Sequence, residues 1–307
     1  MTEAHGGGWI PFPLGRLNVG ESLPCPLYRR RDGEPLDRWH EAGEPIAADT
    51  LARIGDSLVF IESSSLGGFA GFLTSRMERA LDEPGGCSTA IGTQIHDAGW
   101  AVLSDYFNRP EVVECRAKVR RVARAMAAAR HREGLLDTLL KSPGSTDAAV
   151  HGTRVAALSL LIGRARGLGD DASRRLAEGA LLHDVGEVVM APRNTEPCES
   201  TWNQAAQVQH PSVGLGLLRA HGNVDPMIAD CVLSHHERLH GRGVPYGLTG
   251  ATLSLAARIV GLADALDEQH AKNPDESLTE SLAKRVESEP EGFDPLLVEA
   301  LLDVLKG

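Results

Sequence analysis

The chain has 307 residues, 42% hydrophobic and 24% charged, with 31 basic against 42 acidic side chains and a formal net charge of −11. That composition suits a globular chain with ample material for a core, and the acidic balance argues against broad nucleic-acid binding, which needs a cationic surface. No apolar run approaches the roughly 18 residues that span a bilayer.

The opening MTEAHGGGWIPF lacks a basic stretch followed by an apolar core, so no secretory signal is expected. Cys25, Cys87, Cys115, Cys198 and Cys231 are widely spaced and form no C-x-x-C, which fits a reduced cytoplasm better than a disulfide scaffold.

Residues 9–62 read as a small β-containing unit. Leu23, Leu27 and Tyr28 lead into RRRDGE, where Asp32-Gly33 is a turn signal. Ser57 to Ile61 reads as a strand, and Ala48 to Ile54 as one or two helical turns. The Ser- and Gly-rich stretch 63–90 reads as loop or small-residue packing, and its GGFAGF matches no phosphate-loop spacing.

From 91 to 140 the pattern is helical. Val112, Cys115, Val119, Val122 and Met126 share one face. Arg116, Arg120 and Arg124 form a basic stripe. An anionic partner would use it, while the plainer reading is a solvated face on a linker or dimer helix. The helix over 109–132 is a candidate homodimer contact.

SPGS at 142–145 is a breaker. Helices then follow over 148–166, ended by Gly167, and over 171–183, with Asp170 or Asp171 as N-cap. After a loop through APRNTEPCES come helices over 202–220, 225–236, 251–267 and 294–305. The expected fold class is α+β. A small N-terminal α/β domain covers 1–90, a helical linker 91–145, and an all-α domain 146–307.

Seven of the 12 histidines lie between 151 and 240. A metal site needs lone-pair donors converging from separate helices. His151 near a helix start, His183-Asp184 near a helix end, His210 entering a helix, His235-His236 at a helix end and Asp264 mid-helix are so placed. Any one of them alone reads as a satisfied core residue. The doublets in LLHD and LSHHE are harder to dismiss, since each follows an apolar run, and burying so many titratable groups without a cation is costly.

These residues carry a resemblance. Residues 146–307 resemble the HD-GYP family, a branch of the HD metal-dependent phosphohydrolase superfamily, through HGTRVAALS, ALLHDVGE, QHPSVGLGLL, LSHHERLHGRGVPYGLTG, AARIVGLADALD and GFDPLLVEALL. The N-terminal unit, with RRRDGEP, AGEPI and LVFI, is similar to the small domain that often precedes such modules.

The resemblance implies an all-α domain holding two or three divalent metal ions, most often iron or manganese, that hydrolyses cyclic di-GMP to linear pGpG or GMP. It assigns His151, His183, Asp184, His210, His235, His236 and Asp264 as ligands, with Asp184 bridging two metals. Asp147, four residues before His151, stands where trimetallic members carry Glu, and its rival role is an ordinary N-cap. Two cations about 3.5–4 Å apart share a hydroxide and clamp phosphoryl oxygens, and the hydroxide attacks phosphorus in line with the leaving 3′-oxygen. The donor set also suits zinc or nickel. His240 is a candidate for protonating the leaving group.

The departures from the family lie around the ligand. Glu187 stands where HDxGK ends in Lys, and a carboxylate there repels a substrate phosphate unless neutralised. The GYP triplet is Gly243-Val244-Pro245, whose Gly and Pro still shape the loop while Val offers no phenol, and Tyr246 is one place out of register. His240 replaces the usual Asp. The Arg-Pro-Tyr after the last Asp-Ala-Leu is missing, with Lys272 the one basic residue retained there, and the loop after LLHD lacks lysines. Arg238 and Arg258 remain to meet phosphate through the planar guanidinium.

The reading is therefore a cytoplasmic metal-dependent phosphodiesterase acting on cyclic di-GMP or a related nucleotide. The alternatives are a catalytically weak or silent signalling module that binds a nucleotide or protein partner, and a phosphohydrolase with another substrate.

Overall fold

The computed structural model describes residues 8–12, 17–31, 34–52, 58–83, 88–110, 113–129, 147–190 and 204–306. The expected turn at Asp32-Gly33, the SPGS breaker, the APRNTEPCES loop and the side chains of Val112, Cys87 and Cys198 lie outside them.

Strands β1 (Trp9–Phe12), β2 (Leu27–Arg30), β3 (Asp37–His40) and β4 (Leu58–Glu62) form one antiparallel sheet in the order β1-β4-β2-β3. β4 is central, pairing Ile61 with Ile10 and Phe60 with Tyr28. Leu27, Val59 and Ile61 are buried, and the Tyr28 hydroxyl donates to Glu62 at 2.7 Å. A short helix, α1 (Ala48–Ala52), precedes β4.

The Ser/Gly stretch does not form the expected loop. Leu66–Asp82 is a 17-residue helix, α2. Its glycines cost about 1 kcal/mol each relative to alanine. Leu66, Phe69, Ala70, Leu73 and Met77 recur at helical spacing and are fully buried. Burying a large apolar side chain contributes about 1.5–3 kcal/mol, so tertiary packing overrides local propensity. On the same helix the buried Arg76 donates to Glu21 (3.0 Å), Gln94 (2.7 Å) and Asp97 (2.9 Å), which joins the N-terminal segment to the next helix.

That helix, α3 (Ser88–Asn108), packs against α2 and α4 (Val113–Ala129). Cys115, Val119, Val122 and Met126 form the buried face of α4. The wholly buried Asp105 of α3 accepts from Lys118 Nζ at 3.0 Å and Cys115 Sγ at 3.3 Å, and pairs with Arg109. Burial would raise its carboxyl, but these partners hold it below the usual range. The basic stripe is not simply solvated, because Arg116 is buried.

The remaining helices are α5 (Ala148–Ala165), α6 (Asp170–Leu182), α7 (Val185–Met190), α8 (Gln204–Ala220), α9 (Pro226–Ser234), α10 (Leu255–Lys272), α11 (Leu278–Ser288) and α12 (Pro295–Lys306). Gly169, and neither Asp170 nor Asp171, occupies the N-cap of α6. α10 starts later than expected because Ser254 caps it, accepting from Ala257 N. α11 was not anticipated from the sequence, although Ser277 and Glu280 close a capping box at its start. One apolar core runs unbroken from the sheet through α2–α6 to α10 and α12. Among the described residues no helix is long and apolar enough to cross a membrane.

Candidate metal centre

Five helices bring seven side chains together. His151 lies on the first turn of α5, His183 and Asp184 join α6 to α7, His210 is in α8, His235 caps the C-terminus of α9 with His236 following, and Asp264 is in α10.

The donors fall into two groups around one carboxylate. In the first, His151 Nε2 and His183 Nε2 are 3.2 Å apart and lie 3.4 and 3.0 Å from Asp184 Oδ2. Asp264 Oδ1 is 3.3 Å from His151 Nε2 and 3.6 Å from His183 Nε2. In the second, His210 Nε2 and His235 Nε2 are 3.2 Å apart and each lies 3.4 Å from Asp184 Oδ1. His236 completes that group, and its Nδ1 is 3.6 Å from Asp264 Oδ2. Asp184 thus turns one oxygen to each group.

Ring tautomers follow from the outer nitrogens. His183 Nδ1 donates to Ala180 O at 2.7 Å, and His235 Nδ1 to Val232 O at 3.0 Å. Each therefore satisfies a carbonyl left over at the end of its own helix. His151 Nδ1 donates to Asp267 Oδ2 at 2.8 Å. All three rings are left with Nε2 lone pairs facing the interior, where neighbouring lone pairs repel unless a proton or cation lies between them.

Charge points the same way. Burial alone would raise the Asp184 carboxyl, but the charge of His183 and hydrogen bonds from His151, His183 and His210 hold it well below its usual range. Asp264 is likewise held low against burial, by His151 and His183 first. Burial opposes charge on His183, yet Asp184 and Asp264 raise it to about 10, and His151 is raised well above its ordinary value. Burial lowers His235, and burial with the charge of His235 pushes His236 down to about 3. Protein groups alone therefore satisfy the two carboxylates by protonating the first group. The buried His210 Nδ1 and Asp264 Oδ2 have no hydrogen-bond partner among the described residues. Imidazole and carboxylate donors in this arrangement fit divalent transition metals.

Backbone packing makes this convergence close. A Cβ on Gly186 would lie 1.9 Å from His210 O and 2.7 Å from Gly214 N, so only glycine lets α7 press against α8. Gly186→Ala is expected to destabilise the fold by about 3 kcal/mol, the upper end for overpacking against atoms that cannot move aside. Urea denaturation measures this, and a loss below about 0.5 kcal/mol would refute the account.

The other residues singled out in the sequence lie elsewhere. Asp147 caps α5, accepting from Ala149 N at 2.8 Å and from Trp100 Nε1 at 3.1 Å, and it joins none of the donor groups. Arg238 is buried; its Nη1 donates to His235 O at 2.8 Å, its Nε to Glu289 at 3.1 Å, and its guanidinium covers Phe293. Arg258 Nη1 donates to Asp294 at 2.7 Å. Both arginines pin the segment before α12 behind the site. His240 Nδ1 accepts from Arg242 N at 3.1 Å and its Nε2 faces Glu289 at 3.5 Å. A Cβ on Gly243 would lie 2.4 Å from Glu237 Cα, so the Gly243-Val244-Pro245 loop rests on that backbone, with Pro245 in cis. Lys272 is exposed on the last turn of α10.

Four side chains around this cluster escaped the sequence reading. The buried Asp267 holds His151 and forms a 2.7 Å ion pair with the equally buried Arg154, off the hydrogen-bonding angle. Buried Glu237 accepts from Tyr246 N (2.7 Å) and Leu248 N (2.8 Å), clamping the loop. Burial and Asp264 raise the Glu268 carboxyl to about 7. The available signals were weak: Asp267 is three residues after Asp264, Arg154 three after His151, and Glu268 four after Asp264. Glu187, which was noted, is half-buried with Oε1 3.9 Å from His210 Nδ1, and burial and Asp184 raise its carboxyl to about 9.

Cyclic di-GMP phosphodiesterase PA4108 of Pseudomonas aeruginosa is 30% identical over 147 residues, 47% of this chain and 36% of that protein. The response regulator RpfG of Xanthomonas campestris pv. campestris, also named a cyclic di-GMP phosphodiesterase, is 32% identical over 158 residues, 48% of this chain and 41% of that one. The chain thus spans about two fifths of the length of these relatives. The solved structure of Bd1817, described as an HDG"Y"P protein from Bdellovibrio bacteriovorus, matches 98% of this chain and all of that one at a TM-score of 0.74 and 20% identity, so the fold is shared from the sheet onward. Residues 124–297, more than half of the chain and all seven convergent donors, match the family described as HD domain, and the chain belongs to that family.

Proposed function

We propose that this protein is a cytoplasmic metal-dependent phosphodiesterase that hydrolyses cyclic di-GMP to linear pGpG and GMP. The carrying observation is Asp184, whose two oxygens each face a separate group of inward-pointing histidines. His151, His183 and Asp264 with Asp184 Oδ2 would hold one cation, and His210, His235 and His236 with Asp184 Oδ1 a second, iron or manganese suiting the mixed donors. When bound, such a pair activates water and neutralises phosphoryl oxygens. The chain itself orients the donors: Asp267, Ala180 O and Val232 O fix three rings through their Nδ1 protons. Asp147 is engaged by Ala149 N as the cap of α5 and by Trp100 Nε1, which favours two ions over three. The buried free thiols of Cys25, Cys115 and Cys231 suit a reducing compartment. The names of the two relatives support the substrate class.

Two observations favour a silent signalling module instead. Arg238 and Arg258 are committed to Glu289 and Asp294, and Val244 provides no stacking ring. The test is incubation with cyclic di-GMP under anaerobic, Mn- or Fe-replete conditions, with elemental analysis of the protein. At least two metal ions per chain and linear product are expected. Bound metal without turnover would overturn hydrolysis in favour of the silent module.

Glu187 tests the substrate face separately. Glu187→Lys should tighten cyclic di-GMP binding about tenfold by adding a charge-assisted contact to phosphate. Unchanged affinity in a calorimetric titration would show that position 187 does not meet the ligand.

A further inference from the structure

A polar cavity of about 330 Å³ opens between α4, α6 and the start of α9. α4 contributes Arg116, Arg120 and Arg124, the stripe seen in the sequence, and α6 adds Arg174 and Arg175. These five arginines face three carboxylates, Asp171, Glu178 and Asp225, which leaves a local excess of two positive charges in a chain of net −11. The carboxylates are shared. Arg120 Nε donates to Glu178 at 3.2 Å while Arg116 Nε lies 3.7 Å from the same oxygen, and Arg174 and Arg175 both pair with Asp171.

Arg116 is the telling residue. Its side chain is only 6% exposed, yet Nε has no hydrogen-bond partner among the described residues, and Nη1 reaches Leu218 O only at 3.5 Å. A buried guanidinium with an unused N–H is costly unless something meets it. Arginine's planar fork is suited to phosphoryl oxygens, and the arginines stand in two banks on separate helices. The cavity volume is within the range of small-ligand sites. Arg174 precedes His183 by nine residues on α6, about 14 Å of helix rise, so the cavity is separate from the metal centre.

We infer that this cavity binds a diphosphate group, one phosphoryl unit to each arginine bank, carried by free pyrophosphate or by a nucleoside diphosphate. The inference stands independently of hydrolysis at the metal centre.

Calorimetric titration of the full chain with inorganic pyrophosphate and with GDP tests it. Saturable binding of pyrophosphate is expected. Glu178→Gln should tighten it at least fivefold by freeing Arg116 and Arg120, a gain that misfolding cannot imitate. Arg120→Glu with Arg124→Glu should weaken it at least tenfold, and the gain from Glu178→Gln should persist in an Asp184→Asn background. GDP binding more tightly than pyrophosphate would identify the nucleotide as the source, and the reverse the free anion. No saturable binding of either, or binding lost with Asp184→Asn and indifferent to Glu178→Gln, would overturn the proposal.

Discussion

Asp184→Asn is expected to lower phosphodiesterase turnover by on the order of 10³-fold or more and to reduce metal content to at most one ion per chain, with the fold retained. Asparagine keeps the size of the side chain but can present only one acceptor oxygen. Its NH₂ would point at one of the two histidine groups, where it would donate to an Nε2 lone pair and take that lone pair from a metal. The substitution also removes a charge that raises His183, so the first group loses its reason to hold protons and its counter-charge for a cation. Elemental analysis reads the metal, product chromatography the turnover, and circular dichroism the fold. Two ions per chain with more than a tenth of parental turnover would show that Asp184 is not the bridge.

The convergence of the donors was legible because the sequence delivers them in a recognisable way. In LLHD and LSHH an apolar run buries a helix, and the ionisable doublet then falls at its C-terminus, where the ring can use its own helix's spare carbonyl. The end of α5 was legible from Gly167, whereas the caps at Ser254 and Ser277 went unread. What stayed hidden depends on partners far away in the chain. Arg238 and Arg258 have the right chemistry for phosphate, but Glu289 and Asp294, more than thirty residues on, claim them. The stripe on α4 was visible, but not that α6 would face it with two more arginines fifty residues later. α2 was hidden for a different reason: local glycine content argued for loop, and only the burial of Leu66, Phe69, Leu73 and Met77 reverses that preference. Periodicity and caps are local information, whereas pairing is set by packing between elements.

Asp267 brings both kinds of information to one residue. It accepts the Nδ1 proton of His151 and balances Arg154, which is itself 1% exposed. Asp267→Leu should therefore have two effects with different origins. Losing the carboxylate leaves Arg154 as an uncompensated buried charge, at a cost of about 3 kcal/mol. Losing the acceptor frees His151 to turn or to change tautomer, which should weaken metal binding about 10–100-fold. The two separate in a second variant. Adding Arg154→Met removes the stranded charge and should recover most of the stability in urea denaturation, because apolar groups of similar size replace buried ion pairs with little penalty. It should not recover metal affinity in chelator competition, since His151 still lacks its anchor. Parental metal affinity in Asp267→Leu would mean that α5 packing alone aims His151. If the double variant recovered stability and affinity together, Asp267 would act through Arg154 and the fold, with no separate hold on the ligand.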